Sequence, residues 1–156
     1  LPFPLPDAAE DKKENTMIHK MTDAIYDTLK NKSGFKVFAE ECGSASNVWL
    51  QFATDNNTPY QIRFISTDDN NDVAVRVFGL LNVENSLSDK VLPLINRLNA
   101  AYRFVKFVLD NEGNVNLEYD YLYCCPDPAS SAEEIVMRIV KIIEEAHPAL
   151  LRASRG

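Results

Sequence analysis

The sequence predicts an α+β domain whose antiparallel sheet has one buried face, and a self-consistent hairpin at residues 102–123 carries most of that prediction. Residues 110–114 form a turn signal, because Gly113 can adopt the left-handed backbone that a short hairpin loop needs. Three apolar pairs then fall on one face, as the two-residue period of a strand requires. They are Leu109 with Val115, Phe107 with Leu117, and Val105 with Tyr119. On the other face Lys106 lies opposite Glu118, a favourable cross-strand charge pair.

The chain begins with a segment that has no regular period. Residues 1–15 alternate proline with apolar residues and then become charged, which indicates an extended, mobile arm. Docking of this arm in a partner's groove is the alternative. A helix is predicted from Thr16 to Gly34, since apolar residues recur there at three- and four-residue spacing. They are Met17, Met21, Ala24, Ile25 and Leu29.

Alternating apolar residues and turn signals predict four strands after this helix. The strands cover residues 35–41, 47–54, 60–64 and 73–77. A polar hairpin loop at 67–72 joins the last two. A second helix follows at about 88–102, although Pro93 lies far inside it. Because proline lacks the backbone N–H, either the first turn is irregular or the helix starts later.

The last helix follows the strong hairpin. Asp127 is its predicted N-cap and Pro128 its first residue, with Ser130 and Glu133 as an alternative capping box. Pro148 is predicted to end it. Its apolar stripe consists of Ile135, Val136, Ile139, Val140, Ile142 and Ile143. The predicted order of elements is therefore α-β-β-β-β-α-β-β-α.

Composition limits the classes of protein that this chain can belong to. Its 156 residues, 46% hydrophobic and 25% charged, predict one ordinary globular domain at 16–156. The net charge of −7 argues against nucleic acid and anionic membranes, which both favour clustered Lys and Arg. Apolar runs such as 77–81 are far shorter than the roughly 20 residues of a membrane span. Residues 1–15 lack the basic and then apolar pattern of a signal peptide.

The three cysteines, Cys42, Cys124 and Cys125, form neither an even framework nor a CxxC pair, which predicts reduced thiols in a cytoplasm. Cys124 and Cys125 lie near the start of the last helix, where backbone dipoles lower thiol pKa values. An enzyme using one of them is therefore an alternative. A nucleophile also needs a base within reach, and the sequence places no histidine nearby, so we predict no catalytic residues.

No motif predicts a metal or another cofactor. The run from Asp68 to Asp72 resembles a calcium loop, but the positions that an EF-hand reserves for Gly and Glu hold Val73 and Gly79. His19 and His147 lack zinc-ligand spacing with the cysteines. We interpret His147 as a helix-terminal residue, where a partly charged imidazole suits the helix dipole.

Three stretches resemble the YbjN-like family of bacterial proteins. They are YQIRFISTDDNNDVAVRVFGLLNV (60–83), LINRLNAAYRFVKFVLDNEGNVNLEYDY (94–121) and IVMRIVKIIEEAHPAL (135–150). The resemblance implies an antiparallel sheet with helices packed on one face, similar to the type III secretion chaperone fold and often dimeric. Members are described as proposed regulators of sensory transduction, and the family supplies no catalytic residue to transfer. These motifs are hydrophobic patterns, so they inform fold more than function.

The candidate interaction site is the sheet face that points away from the core. A solvated face alternates polar residues cleanly, whereas this one mixes apolar side chains with charges. The predicted face consists of Arg63, Ile65, Arg76, Phe78, Phe104, Lys106 and Val108. Oligomerisation is the commonest cover for such a surface, and a helix or the N-terminal arm is the alternative. Arg63 and Arg76 are predicted to oppose each other, with either a carboxylate of this protein or a bound acidic group between them.

The sequence therefore predicts a non-enzymatic, cytoplasmic protein-binding or regulatory module, homodimeric, with a protein or peptide as partner. The alternative is a small-molecule sensor with a pocket between sheet and helices. In that pocket Tyr119, Tyr121 and Tyr123 would supply hydroxyls, although such a stripe is more often core with polar tips.

Overall fold

Alternating apolar residues build the sheet that organises the molecule. The computed structural model describes residues 17–32, 35–68, 72–122 and 128–156. The elements are α1 (Lys20–Lys32), β1 (Val37–Cys42), β2 (Ala45–Ala53), β3 (Pro59–Ser66), β4 (Asp72–Asn82), α2 (Ser88–Ala101), β5 (Lys106–Leu109), β6 (Asn114–Leu122) and α3 (Pro128–Ser154). The predicted α+β class and element order are confirmed.

The sheet is open and antiparallel, with the strand order β1-β2-β3-β4-β6-β5. Strands β1 to β4 pair with their sequence neighbours. Helix α2 then carries the chain to β5 at the edge, and β6 returns to pair with β4. The edge strands β1 and β5 have six and four residues, and short edges limit pairing with other chains.

The core lies between one sheet face, called the inner face, and the three helices. The inner face of β3 and β4 supplies Ile62, Phe64, Val73, Val75 and Val77, all fully buried. The helices supply Ile25 and Leu29 from α1, Val91 and Ile95 from α2, and Val136, Ile139 and Ile143 from α3. The predicted arrangement of helices on one face of the sheet is therefore confirmed.

The hairpin of β5 and β6 has the predicted register. Leu109 pairs with Val115, Phe107 with Leu117 and Lys106 with Glu118. Gly113 has a φ of +83°, in the left-handed region. Asp110 holds the turn, because its Oδ1 accepts hydrogen bonds from the backbone N–H groups of Glu112 and Asn114, both at 2.9 Å. These bonds, led by the one from Asn114, lower the pKa of Asp110. Val105 is buried but precedes β5, so its predicted pairing with Tyr119 is not part of the ladder.

Helix α1 differs from its prediction at the start. It begins at Lys20, and the N–H of Met17 donates to Asp23 Oδ1 at 2.8 Å, which fixes the preceding segment without helical turns. Ala24 is exposed rather than inward. The predicted limits Thr16 and Gly34 lie outside the described residues, as does the arm at 1–15.

Helix α3 passes through Pro148 and continues to Ser154, so the prediction that Pro148 ends it is wrong. Proline removes one helical hydrogen bond, but Leu150 beyond it is fully buried and Ala153 packs on the core. Burial of these residues outweighs the lost bond. In α2, Pro93 is accommodated after an irregular entry, a 3-10 turn at Asn85–Leu87.

His147 is not a helix-terminal residue. It lies within α3 at 1% exposure, and this burial lowers its pKa, so the ring is neutral near pH 7. The predicted partly charged imidazole is therefore wrong. Cys42 is an exposed free thiol, while Tyr123, Cys124, Cys125 and Asp127 lie outside the described residues.

Candidate functional site

The sheet face opposite the helices, called the outer face, carries one unbroken row of side chains. Each strand contributes one residue that lies directly opposite its neighbour on the next strand. In spatial order this outer row is Phe38, Trp49, Arg63, Arg76, Glu118 and Lys106. The row changes from aromatic to cationic to ion-paired as it crosses the sheet. Three of the predicted site residues, Arg63, Arg76 and Lys106, belong to it.

The aromatic end of the outer row is a stack covered by cations. The rings of Phe38 and Trp49 lie 5.5 Å apart and 15° from parallel. The Arg63 guanidinium carbon lies 4.7 Å from the centre of the Trp49 ring, and Lys36 Nζ lies 5.3 Å from that of Phe38. Trp49 is only 3% exposed although it lies outside the core cluster. Cation–π contacts and the arginine stem therefore contribute to its cover.

Arg63 is held from two further directions. Its Nη2 donates to Gln61 Oε1 at 2.6 Å, and Nη1 lies 3.6 Å from Glu40 Oε1. Burial lowers the pKa of Arg63, and the Glu40 carboxylate opposes that shift. The guanidinium stays charged, because an arginine pKa starts far above neutrality.

Arg76 lies opposite Arg63, as predicted, and is held by carboxylates of the same chain. Its Nη1 donates to Asp120 Oδ1 at 2.6 Å, and its Nε lies 3.7 Å from Glu118 Oε1. The other oxygen of Glu118 lies 3.5 Å from Lys106 Nζ. A carboxylate of this protein thus compensates each arginine.

The apolar members of the predicted face lie beside the outer row. Ile65 follows Arg63 on β3 and pairs with Ala74. Phe78 follows Arg76 at an irregularity in β4 and is 41% exposed. Val108 is half-buried on β5 and pairs with Asn116, whose Oδ1 accepts the N–H of Gly79 at 2.8 Å.

Phe104 does not lie with the other predicted residues. It precedes β5, so strand alternation does not extend to it, and its φ of +72° redirects the chain. Its ring lies edge-on to Tyr119, with centroids 6.2 Å apart, and 5.8 Å from the Arg138 guanidinium on α3. Placing Phe104 on the outer face was therefore wrong, because it lies on the helix side.

Phe104 borders a cavity of about 670 Å³. The cavity lies between α3, the segment 102–105 that precedes β5, and strand β6. The aromatic walls are Tyr102, Phe104, Tyr119 and Tyr121, and the apolar lining is Val105, Ile135, Ile139 and Ile142. The Tyr119 and Tyr121 rings stack at 5.9 Å. Two of the three tyrosines predicted for a pocket therefore line one. The contributions of Tyr102 and of α3 could not be predicted from the sequence, since both depend on how the helix crosses the sheet.

An open six-stranded antiparallel sheet with helices on one face defines a class of small α+β proteins. The chain belongs to the YbjN family, described as "Putative bacterial sensory transduction regulator", whose profile matches residues 39–150. The crystal structure of YbjN, "a putative transcription regulator from E. coli", matches with a TM-score of 0.51 and 19% identity, covering 82% of this chain and 92% of that one. At that identity the match shows the fold alone.

The family assignment confirms the resemblance seen in the sequence, and the family's description names a regulator rather than an enzyme. The similarity to the type III secretion chaperone fold stays a prediction. No curated protein matches the chain. Across the described ranges, no helix combines the length and apolar composition that a membrane crossing requires.

Proposed function

We propose that this protein is a non-enzymatic, cytoplasmic regulatory module that forms a homodimer and binds a protein or peptide through its outer face. The observation that carries the proposal is the contrast between the two sheet faces. All three helices pack on the inner face, whereas Phe78 on the outer face is 41% exposed. Half-buried Val108 lies on the same side of the outer row as Phe78, and half-buried Ile65 lies on the other side. Apolar side chains on a sheet face that the described helices leave open favour association.

The charges of the outer row suit a specific contact. Ion-paired groups around apolar side chains set register and select partners more than they add affinity. The carboxylates of Glu40, Asp120 and Glu118 offset the charges of Arg63, Arg76 and Lys106, so a partner meets a nearly neutral surface. We therefore assign most of the association energy to Phe78, Ile65 and Val108, which lose apolar area on contact.

Sedimentation velocity at micromolar concentrations tests the dimer. The wild type should sediment as a dimer and Phe78→Glu as a monomer with an unchanged circular dichroism spectrum. Leu92→Glu is the matched control, because Leu92 is 47% exposed on α2, away from the outer face. A monomeric wild type, or equal dissociation in both variants, would count against the outer face as the dimer surface.

The second candidate function is that of a small-molecule sensor, and the cavity behind Phe104 favours it. Its volume lies within the range of about 300–1,000 Å³ that is typical of ligand sites. A thermal-shift screen with metabolites tests this candidate, since a ligand that binds only the folded state raises the melting temperature. Absence of any stabilised mixture would argue against sensing.

A further inference from the structure

Both carboxylates at the rim of the cavity already have partners. Glu134 Oε1 accepts hydrogen bonds from Nε and Nη2 of Arg138 at 3.1 and 2.6 Å. Glu145 Oε2 accepts the hydroxyl of Tyr102 at 2.9 Å. Glu134 is therefore charge-compensated by Arg138, whereas Glu145 accepts a hydrogen bond from a neutral donor.

Two further cations lie at the rim of the cavity besides Arg138. Arg103 and Lys141 line the cavity and are exposed. In the part of the chain that the structure describes, neither forms an ion pair. In a chain with a net charge of −7, this rim is a local excess of positive charge.

The walls of the cavity suit a flat ring. Phe104 and Tyr119 meet edge to face, and Tyr121 stacks on Tyr119. Phe104 is 65% exposed and its backbone is left-handed, a conformation that a phenylalanine rarely adopts. The ring is thereby held at the cavity edge, where it would gain contact area from an apolar ligand.

We propose that the cavity binds a small organic anion with a flat apolar body. The body would stack among Phe104, Tyr119 and Tyr121, while the anionic group lies at Arg103 and Lys141. This proposal rests on the sensor candidate and adds the ligand class to it. A carboxylate, sulfonate or phosphate satisfies the same cations, since each accepts charge-assisted hydrogen bonds.

Two probes of the same shape distinguish the contribution of the anionic group to binding from that of the aromatic ring. Calorimetric titration should show that 2-naphthoate binds more tightly than the uncharged 2-naphthamide. Lys141→Gln should weaken 2-naphthoate by about threefold to fivefold, the effect of one partly exposed charge, and leave 2-naphthamide unchanged. Lys90→Gln is the matched control, because Lys90 is an exposed lysine on α2 outside the lining.

A variant that fills the cavity tests the location. Ser131 lines the cavity on α3, and Ser131→Trp should abolish binding of both probes while the circular dichroism spectrum is retained. Unchanged binding in this variant would overturn the site. Equal affinity for the two probes would overturn the anion class and leave the sensor candidate standing. If neither probe binds, the proposal is wrong, and the metabolite screen then decides the sensor candidate separately.

Discussion

Arg63 and Arg76 lie directly opposite each other on adjacent strands, and each guanidinium is compensated by a carboxylate of the same chain. Like charges in directly opposed positions destabilise a sheet. Glu40 compensates the first arginine, while Asp120 and Glu118 compensate the second. The opposition of the two arginines is therefore tolerated because Glu40, Glu118 and Asp120 compensate them.

Glu118→Gln should destabilise the protein, because it removes a carboxylate that compensates two cations. The carboxylate lies between Arg76 and Lys106, at 3.7 and 3.5 Å, so its removal leaves neighbouring cations less compensated. We expect a loss of about 1 kcal/mol in urea unfolding at low ionic strength, and less in high salt. Glu134→Gln, which breaks an exposed pair within α3, should cost about 0.3–0.5 kcal/mol. Equal, salt-independent losses in the two variants would contradict this account.

Arg63 should control the environment of the single tryptophan of the chain. Arg63→Ala removes the guanidinium over Trp49, so the fluorescence emission of Trp49 should shift to longer wavelength. The lost cation–π contact should also cost about 0.5–1 kcal/mol, part of which Arg63→Lys should restore. Arg97→Ala, an exposed change on α2, should alter neither quantity. An unshifted emission maximum in Arg63→Ala would show that other groups cover Trp49.

Short hairpins account for much of what the sequence could predict about this site. A tight turn sets the register of both strands, so Lys106 opposite Glu118 followed from the turn at Gly113. The pairing of Phe38 with Trp49 obeys the same rule, because a short turn sets Cys42 opposite Ala45. The sequence predicted a longer turn between these two strands, so it did not predict this pairing.

Other features could not be derived from local patterns. The placement of Phe104 depends on a positive φ that its residue type does not signal. Pro148 marks a helix end by local chemistry, yet Leu150 beyond it is buried against the core. In both cases tertiary packing overrides the local preference, and the walls of the cavity arise only from that packing.

Gly113→Ala should be far more harmful than Gly43→Ala. Both glycines have positive φ, which costs an alanine about 1–2 kcal/mol. At Gly43 an added Cβ meets nothing within 4 Å, whereas at Gly113 it would lie 2.4 Å from the carbonyl oxygen of Val83. That clash would also displace the hydrogen bond from Val83 N–H to the Gly113 carbonyl, now 2.7 Å. Denaturant midpoints should therefore fall in both variants, and clearly further for Gly113→Ala. Equal midpoints would show that the turn at Gly113 accommodates the added Cβ without an extra energetic cost.

Acid should destabilise the protein partly through His147. Neither ring nitrogen has a hydrogen-bond partner among the described residues, and burial lowers the pKa of this histidine. The unfolded chain, with a histidine pKa of about 6.5, then binds the proton more readily, so stability is full above that pH and falls as the pH drops toward the folded pKa. Between about pH 7.5 and 5.5, His147→Leu should lose less unfolding free energy than the wild type. An identical pH dependence in His147→Leu and the wild type would exclude His147 as the source.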